Sequence, residues 1–417
     1  MSKVRNSDIR SELRPSAQLL KLTYTAASET AFEKYDRQCI RKYRGKWKSR
    51  NTIAEEKAIV RNDGSILRIL VVRCEEERED EEVTGLLWLH DGGFAFGVPE
   101  QESMLVDMFC GDGSCVAVLP DYMKSTESPY PSALEDCYRV LLWMKDNAAE
   151  LGINRDQIFV GGCGAGGGLT AALCLRARDM RDVRIAFQMP ISPMLDDRME
   201  SESAKDNNAP VWNGRKNRVA WDLYLRDMKE EIPVYAAPGR ETDLKGMPPA
   251  CSIVGDLEPV KDETVLYFAR MKKADVPVSL RVYHGCFHSF ETTAVNTNVA
   301  LNAQRYLMDS FRYAQKKYFA HNYSIVKEEM PPIPDEEEAA EEIPEDFAEE
   351  REEEFAEIPK APEADLEADG SEANGPEADG PEADGLEADG SLPEQGEIEE
   401  TAGNTAAYEA EKEDKLQ

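Results

Sequence analysis

The chain has 417 residues, of which 82 are Asp or Glu and 49 are Lys or Arg, and its formal net charge is −33. Most of this charge lies in residues 327–417, which hold 35 acidic and 5 basic residues. Such a tail repels the phosphates of nucleic acids, so nucleic-acid binding is not expected. The preceding residues are nearly balanced in charge and are numerous enough for one large folded domain.

The cysteines and the hydropathy pattern predict where the protein resides. Its nine cysteines are scattered, without Cys-x-x-Cys pairs or histidines at ligand spacing. This pattern favours reduced thiols in the cytoplasm and predicts neither disulfides nor a bound metal. The first residues lack the apolar segment of a signal peptide, and no run approaches the roughly 18 apolar residues of a membrane span. We therefore expect a soluble cytoplasmic protein that does not associate with membranes.

Taken in chain order, the elements begin with a predicted N-terminal helical cap, residues 1–50, which carries 13 basic and 5 acidic residues. Two strand-like runs flank Asn62-Asp63-Gly64 and predict a hairpin, which opens a domain spanning residues 51–326. Further strands are predicted at 86–89, 115–119, 158–161, 185–190, 252–254 and 280–283. Helices are predicted at 132–150, 169–180 and 263–274. This alternation is typical of an α/β protein whose mostly parallel sheet is covered on both faces.

The acidic tail, residues 327–417, contains a five-residue repeat of the form Glu-Ala-Asp-Gly between residues 366 and 390. Glycines and prolines recur every few residues, and few apolar side chains are present to offset the entropy of ordering. We therefore predict a disordered segment. Its charge is opposite to that of residues 1–50, so we expect it to bind its own N-terminal cap or a basic protein partner.

Four motifs with candidate catalytic or binding residues follow the predicted strands. They are His90-Asp91-Gly92-Gly93-Phe94, Gly162-Cys163-Gly164-Ala165-Gly166-Gly167, Gly255-Asp256-Leu257-Glu258-Pro259 and Gly285-Cys286-Phe287-His288-Ser289-Phe290. A glycine-rich turn between a strand and a helix can hold a phosphate, but the Lys-Ser/Thr pair of a P-loop is missing. A nucleotide cofactor is therefore not expected, and no other cofactor is predicted.

At these motifs the chain resembles the hormone-sensitive-lipase-like family of α/β-hydrolases, which includes acetyl esterases. The resemblance extends from about Ser11 to Phe319 and excludes the tail. It implies an α/β-hydrolase fold and an acyl-transfer reaction. In that reaction a serine at a strand-to-helix elbow attacks the ester carbonyl, and a histidine oriented by a carboxylate accepts its proton.

The resemblance also implies roles for individual residues. His288 occupies the position of the base, and Glu258 occupies the position of the orienting carboxylate. The oxyanion-hole donors correspond to the backbone N–H groups of Gly92, Gly93 and Ala165. Alternatively, Glu258 caps the helix predicted to begin near Lys261.

The nucleophile position is held by Gly164, because the chain has Gly-Cys-Gly-Ala-Gly-Gly where the family has Gly-Asp-Ser-Ala-Gly-Gly. Glycine cannot form an acyl-enzyme, and it also relieves the strain of the elbow. Asp91 places a further carboxylate in the oxyanion loop, and Cys163 replaces the usual aspartate. We expect an impaired or inactive esterase whose pocket binds a small ester or carboxylate. On this basis Gly164→Ser should raise ester hydrolysis about tenfold or more.

Two other functions fit the sequence. The first is an active carboxylic-ester hydrolase that uses a different nucleophile, for which Cys163 in an elbow shifted by one residue is the obvious candidate. We do not expect this, because such a shift would turn the buried side chains of the preceding strand to the opposite face. The second is an interaction protein that acts through its acidic tail.

Overall fold

The computed structural model describes residues 3–23, 26–76 and 82–321. The predicted disordered tail, residues 327–417, lies outside these ranges, and so does its proposed interaction with the N-terminal cap. Among the described residues, no helix combines the length and apolarity needed to cross a bilayer.

The N-terminal region contains a short 3₁₀ turn (Ser11–Leu13) followed by helices α1 (Arg14–Thr23) and α2 (Glu29–Tyr43). The hydroxyl of Ser28 caps α2 by accepting a hydrogen bond from the backbone N–H of Ala31. Phe32 and Tyr35 of α2 are buried against the domain that follows. The N-terminal segment is therefore helical, and it packs onto the domain's core.

The centre of the molecule is an eight-stranded sheet. Its strands are β1 (Thr52–Val60), β2 (Ile66–Cys74), β3 (Val83–Leu89), β4 (Cys115–Pro120), β5 (Ile153–Cys163), β6 (Phe187–Ile191), β7 (Ala250–Gly255) and β8 (Val278–Tyr283). They lie in the order β1-β2-β4-β3-β5-β6-β7-β8. The β1–β2 and β2–β4 pairs are antiparallel, whereas all pairs from β4–β3 to β7–β8 are parallel. The predicted mostly parallel sheet and hairpin are confirmed.

The remaining helices cover the sheet. They are α3 (Ser103–Cys110), α4 (Ser132–Asp146), α5 (Ala148–Leu151), α6 (Gly164–Met180), α7 (Gly214–Tyr224), α8 (Lys261–Lys273), α9 (Phe290–Thr293) and α10 (Asn298–Lys317). Alternate residues of β3 face different cores, with Leu87 and Leu89 in one apolar cluster and Leu86 and Trp88 in the other. A strand buried on both faces explains the unbroken apolar run in its sequence.

The structure differs from the sequence prediction at several boundaries. Helix α6 begins at Gly164, five residues before the predicted start at residue 169, because its first turn consists of small residues without an apolar pattern. Glycine is required there: a Cβ at Gly166 would lie 2.1 Å from the carbonyl oxygen of Leu89. The predicted helix 132–150 is divided into α4 and α5, and the sequence analysis predicts no helix at the positions of α3, α7, α9 and α10.

Candidate active site

The candidate site lies where the carboxyl ends of β3, β5 and β7 and the loop after β8 meet, as is usual for open parallel sheets. Strand β5 ends at Cys163 and helix α6 begins directly at Gly164. Gly164 has φ +51°, a left-handed conformation that glycine adopts without a steric penalty. This sharp strand-to-helix turn has the form of the elbow that the sequence predicts at the nucleophile position.

The carboxylate of Asp91 fills the space in front of Gly164. A Cβ built on Gly164 would lie only 2.1 Å from Oδ1 of Asp91 and 2.4 Å from its Cγ. Asp91 follows β3 in the oxyanion loop, and its side chain reaches across to the elbow. A side chain at residue 164 and the carboxylate of Asp91 therefore cannot occupy their positions at the same time.

Two of the predicted oxyanion-hole donors bind this carboxylate. The backbone N–H of Gly92 donates to Oδ1 of Asp91 over 2.6 Å, and that of Ala165 donates to the same oxygen over 3.0 Å. Gly93, the third predicted donor, lies against Trp212, whose ring would be 2.4 Å from a Cβ at that glycine. Oδ1 of Asp91 thus accepts the two backbone hydrogen bonds that would stabilise the oxyanion of an ester intermediate.

His288 connects Asp91 to Glu258. Its Nε2 lies 2.9 Å from Oδ2 of Asp91, and its Nδ1 lies 2.6 Å from Oε2 of Glu258. The other oxygen of Glu258 accepts hydrogen bonds from the backbone N–H of Gly255 (2.7 Å) and from the hydroxyl of Ser192 (2.8 Å). The side chain of Glu258 therefore orients His288 and does not cap helix α8.

The two carboxylates determine the protonation of His288. Burial alone would lower the pKa of His288, but Glu258 and Asp91 outweigh it and raise this pKa well above its ordinary value. Burial likewise opposes ionisation of Asp91, but the hydrogen bond and charge of His288 and the amides of Gly92 and Ala165 lower its pKa. At neutral pH the site therefore holds an imidazolium between two carboxylates, with both ring N–H groups engaged.

Glu102, which the sequence analysis missed, lies behind Asp91. Its Oε1 accepts from the backbone N–H of Asp91 over 3.3 Å, and its Oε2 accepts from the indole N–H of Trp88 over 3.0 Å. Glu102 is the last residue of a 3₁₀ helix (Pro99–Glu102) that follows the oxyanion loop. The sequence shows no catalytic motif in this helix. Ser192, the partner of Glu258, was also missed; its φ of +41° at the end of β6 is visible only in the structure.

A second buried glutamate, Glu291 in α9, gives a pH prediction. It is 2% exposed, and its Oε2 has no hydrogen-bond partner within the described part of the chain. Burial raises its pKa from 4.5 to about 7; Glu258 and Glu102 add to the rise, and His288 opposes it. The protonated form of Glu291 therefore contributes fully to the stability of the folded protein below pH 4.5. This contribution is lost as the pH rises towards 7.

Glu291→Gln should for this reason be more stable than the unaltered protein at pH 8, by up to about 3 kcal/mol. At pH 5 the difference should fall to about 1 kcal/mol or less, because Glu291 is then neutral in the folded protein and only partly ionised in the unfolded chain. Urea unfolding of both proteins at the two pH values measures this difference. Equal differences at pH 5 and pH 8 would show that Glu291 does not titrate in this range.

Cys163 is poorly placed to act as a nucleophile. Its side chain is 5% exposed, and burial raises its pKa well above 9.0, with nearby carboxylates adding to the effect. In the native protein iodoacetamide should therefore modify the partly exposed Cys74 well before Cys163, as measured by mass spectrometry of peptides. Rapid modification of Cys163, with loss of any esterase activity, would contradict this and support the shifted elbow.

Comparison with known proteins agrees with the fold. A model of the α/β-hydrolase fold matches residues 86–292. The chain is 31% identical over 214 residues to an arylesterase of Saccharolobus solfataricus, covering 49% of this chain and 67% of that protein. It is 28% identical over 223 residues to the esterase LipI of Mycobacterium tuberculosis strain H37Rv, covering 51% and 67%.

Solved structures show the same architecture over more of the chain. A bacterial heroin esterase superposes with a TM-score of 0.66 at 28% identity, covering 74% of this chain and 98% of that one. The chain therefore belongs to the esterase and lipase family of α/β-hydrolases.

Proposed function

We propose that this protein is a member of the esterase family that is impaired in acyl transfer and does not turn over carboxylic esters. The observation that supports this most strongly is the position of Asp91. Its carboxylate takes both the space next to Gly164 and the N–H groups of Gly92 and Ala165. An ester carbonyl would have to displace a bound anion from these donors before it could be polarised.

The state of His288 supports the same proposal. A general base must be neutral and must present a free nitrogen to the proton that it accepts. In this site both nitrogens of His288 face carboxylates, and the pKa of the ring is raised. The family's acyl-transfer mechanism thus lacks its nucleophile, and its base is already protonated.

The charge of Asp91 also limits what ligand the site would take. The sequence predicts a small ester or carboxylate, but a second carboxylate at these donors would repel Asp91. Of the two, we propose that an uncharged ester is the preferred ligand. All nine cysteines are unpaired, which supports the cytoplasmic location that we propose for the protein.

Hydrolysis of p-nitrophenyl acetate by the purified protein tests the proposal. A triad enzyme that loses its serine loses about 10⁶ in rate and retains about 10³–10⁴ over water. We expect no more than this residual activity. Turnover of several per second would contradict the proposal and would favour the alternative of an active ester hydrolase with another nucleophile.

The acidic tail supports a second, separate proposal, in which the domain carries a segment that binds a basic partner. Residues 327–417 have net charge −30, whereas residues 1–50 have net charge +8. Charges in solvent are screened beyond about 8 Å at physiological salt, so this binding should weaken as salt is added. A pull-down with the tail alone, at low and high salt, tests it. Capture that does not depend on salt would exclude an electrostatic mode, and no capture would exclude the partner.

A further inference from the structure

Residues 34–50, in α2 and the loop that follows it, form an exposed basic surface that we call the basic stripe. We infer that the basic stripe is the docking site of residues 341–358 of the same chain, which bind through their carboxylates and through Phe347 and Phe355. This segment lies outside the described residues. The inference rests on the proposal that the acidic tail binds a basic partner, and it names that partner.

The basic stripe has a large excess of positive charge. It contains eight basic residues and one acidic residue, so its net charge is +7. The eight basic residues are all exposed: Lys34, Arg37, Arg41, Lys42, Arg44, Lys46, Lys48 and Arg50. Because charges of one sign at this density repel one another, an anionic segment bound along the stripe would stabilise it.

Little of this charge is neutralised by the domain itself. Nη1 of Arg37 lies 3.8 Å from Oε2 of Glu33, and Nη2 of Arg44 lies 3.7 Å from Oδ2 of Asp121. Both distances are too long for hydrogen bonds, and Lys124 binds the other oxygen of Asp121 at 2.8 Å. In the part of the chain that the structure describes, the other six basic side chains have no carboxylate within 4.0 Å. The stripe therefore retains most of its capacity to bind carboxylates.

Exposed apolar side chains lie beside these cations. Ile40 of α2 is 37% exposed, and Ile66 of β2 is 58% exposed. Together with Arg44 they line one cavity of about 210 Å³. Val60, which pairs with Ile66 in the β1–β2 hairpin, is 60% exposed. This surface favours a partner that presents apolar side chains among its negative charges.

The cavity favours an aromatic ring over a carboxylate. Its lining includes the side chains of Asp36, Asp121 and Glu127, which would repel a further negative charge. It also includes Arg44, whose guanidinium can lie over an aromatic ring. In the docked state the carboxylates of the segment therefore pair with the exposed cations around the cavity, and one of its phenyl rings enters it.

Residues 341–358 have both kinds of group. They contain ten acidic residues and one basic residue, a net charge of −9 over 18 positions. Phe347 and Phe355 each follow an acidic residue and precede Ala-Glu. The Glu-Ala-Asp-Gly repeats at residues 366–390 are also acidic but contain no aromatic residue. The segment with the two phenylalanines is therefore the part of the tail that suits the cavity.

The segment is near enough in the chain to reach the stripe of its own molecule. The described residues end at His321, and the 19 residues from 322 to 340 can extend to about 60 Å. A folded domain of about 300 residues has a radius of gyration of about 20 Å. Such a tether gives the segment an effective concentration in the millimolar range, so individually weak contacts are sufficient for docking.

Carbodiimide cross-linking of the full chain tests the inference, because this zero-length reagent joins a lysine amine to a carboxylate that is in contact with it. The reaction is carried out at low salt, and the linked peptides are identified by mass spectrometry. We expect the lysines of the stripe to be joined to residues 341–358 about tenfold more often than Lys245 and Lys273. These two control lysines are also exposed but lie outside the stripe.

Two full-chain variants distinguish docking from diffuse attraction between opposite charges. Phe347→Ala combined with Phe355→Ala retains every charge and should reduce the cross-links to residues 341–358 about fivefold. Arg41→Gln combined with Arg44→Gln retains every lysine of the stripe and should reduce them about threefold. Both arginines are exposed, so the second variant is expected to fold.

An equimolar mixture of ¹⁴N-labelled and ¹⁵N-labelled chains shows which molecule supplies the segment. Docking within one chain gives links between peptides of the same isotope, whereas links between isotopes in half of the products would overturn the inference in favour of a second copy. Equal linkage of the stripe and control lysines, or linkage that the phenylalanine variant leaves unchanged, would also overturn it.

The pull-down with the tail alone separates this inference from the proposal on which it rests. Capture of a basic partner without stripe cross-links would support that proposal and overturn the inference. Stripe cross-links without capture would exclude a separate partner and support the basic stripe as the docking site.

Discussion

The double variant Asp91→Gly, Gly164→Ser is expected to hydrolyse p-nitrophenyl acetate about 10²-fold or more faster than the unaltered protein. Gly164→Ser alone should give no gain. The single substitution places a Cβ 2.1 Å from Oδ1 of Asp91, in a left-handed conformation that costs about 1–3 kcal/mol. Removal of the Asp91 side chain clears this space, frees the N–H groups of Gly92 and Ala165, and leaves His288 oriented by Glu258 alone.

The absence of a gain that we now expect for Gly164→Ser replaces the tenfold gain that the sequence alone predicts. The matched control is Asp91→Gly, which frees the donors without adding a nucleophile and should remain as slow as the unaltered protein. Initial rates of the four proteins form a double-mutant cycle with strong positive coupling. Equal activity of Gly164→Ser and the double variant would show that Asp91 does not block the site.

Replacement of Glu258 by alanine is expected to destabilise the folded protein by about 3–5 kcal/mol. Glu258 is fully buried, and its loss would leave the imidazolium of His288, the N–H of Gly255 and the hydroxyl of Ser192 without their shared acceptor. Glutamate at this position thus has a structural effect that is independent of catalysis. Urea unfolding measures the difference in the free energy of unfolding.

Glu135→Ala is the matched control, because Glu135 pairs with Arg176 at the surface and its side chain is 49% exposed. Exposed pairs contribute about 0–1 kcal/mol, so this variant should be nearly as stable as the unaltered protein. If the two variants lose similar stability, the buried array contributes no more than a surface ion pair.

Much of the fold could be predicted because its signals are local. The Asp63-Gly64 turn predicts the β1–β2 hairpin, and the apolar runs predict strands that are buried on both faces. The apolar pattern predicts the start of α6 five residues late, because close approach to β3 requires glycines in its first turn and removes the apolar pattern there. The local sequence does not predict such a contact between segments that are distant in the chain.

In the candidate site, too, the sequence predicts which residues are present but not the contacts between distant segments. The four motifs identified Gly164, His288, Glu258 and Asp91 by their positions. The sequence indicated that Asp91 lies near the developing charge, but not that its carboxylate spans 74 positions to bind the N–H of Ala165. The direction of a side chain after a strand depends on the backbone of the loop and on Glu102 behind it. Neither is specified by residues next to Asp91 in the chain.

Labelling with a fluorophosphonate tests the central claim most directly, since this reagent reacts rapidly with a serine that has a working base and free oxyanion donors. The four proteins of the double-mutant cycle are treated alike, and the adduct at residue 164 is measured by mass spectrometry. We predict labelling of Asp91→Gly, Gly164→Ser and none of the unaltered protein, Asp91→Gly or Gly164→Ser. Labelling of Gly164→Ser at the same rate as the double variant would contradict the claim that the carboxylate of Asp91 occupies the nucleophile and oxyanion positions.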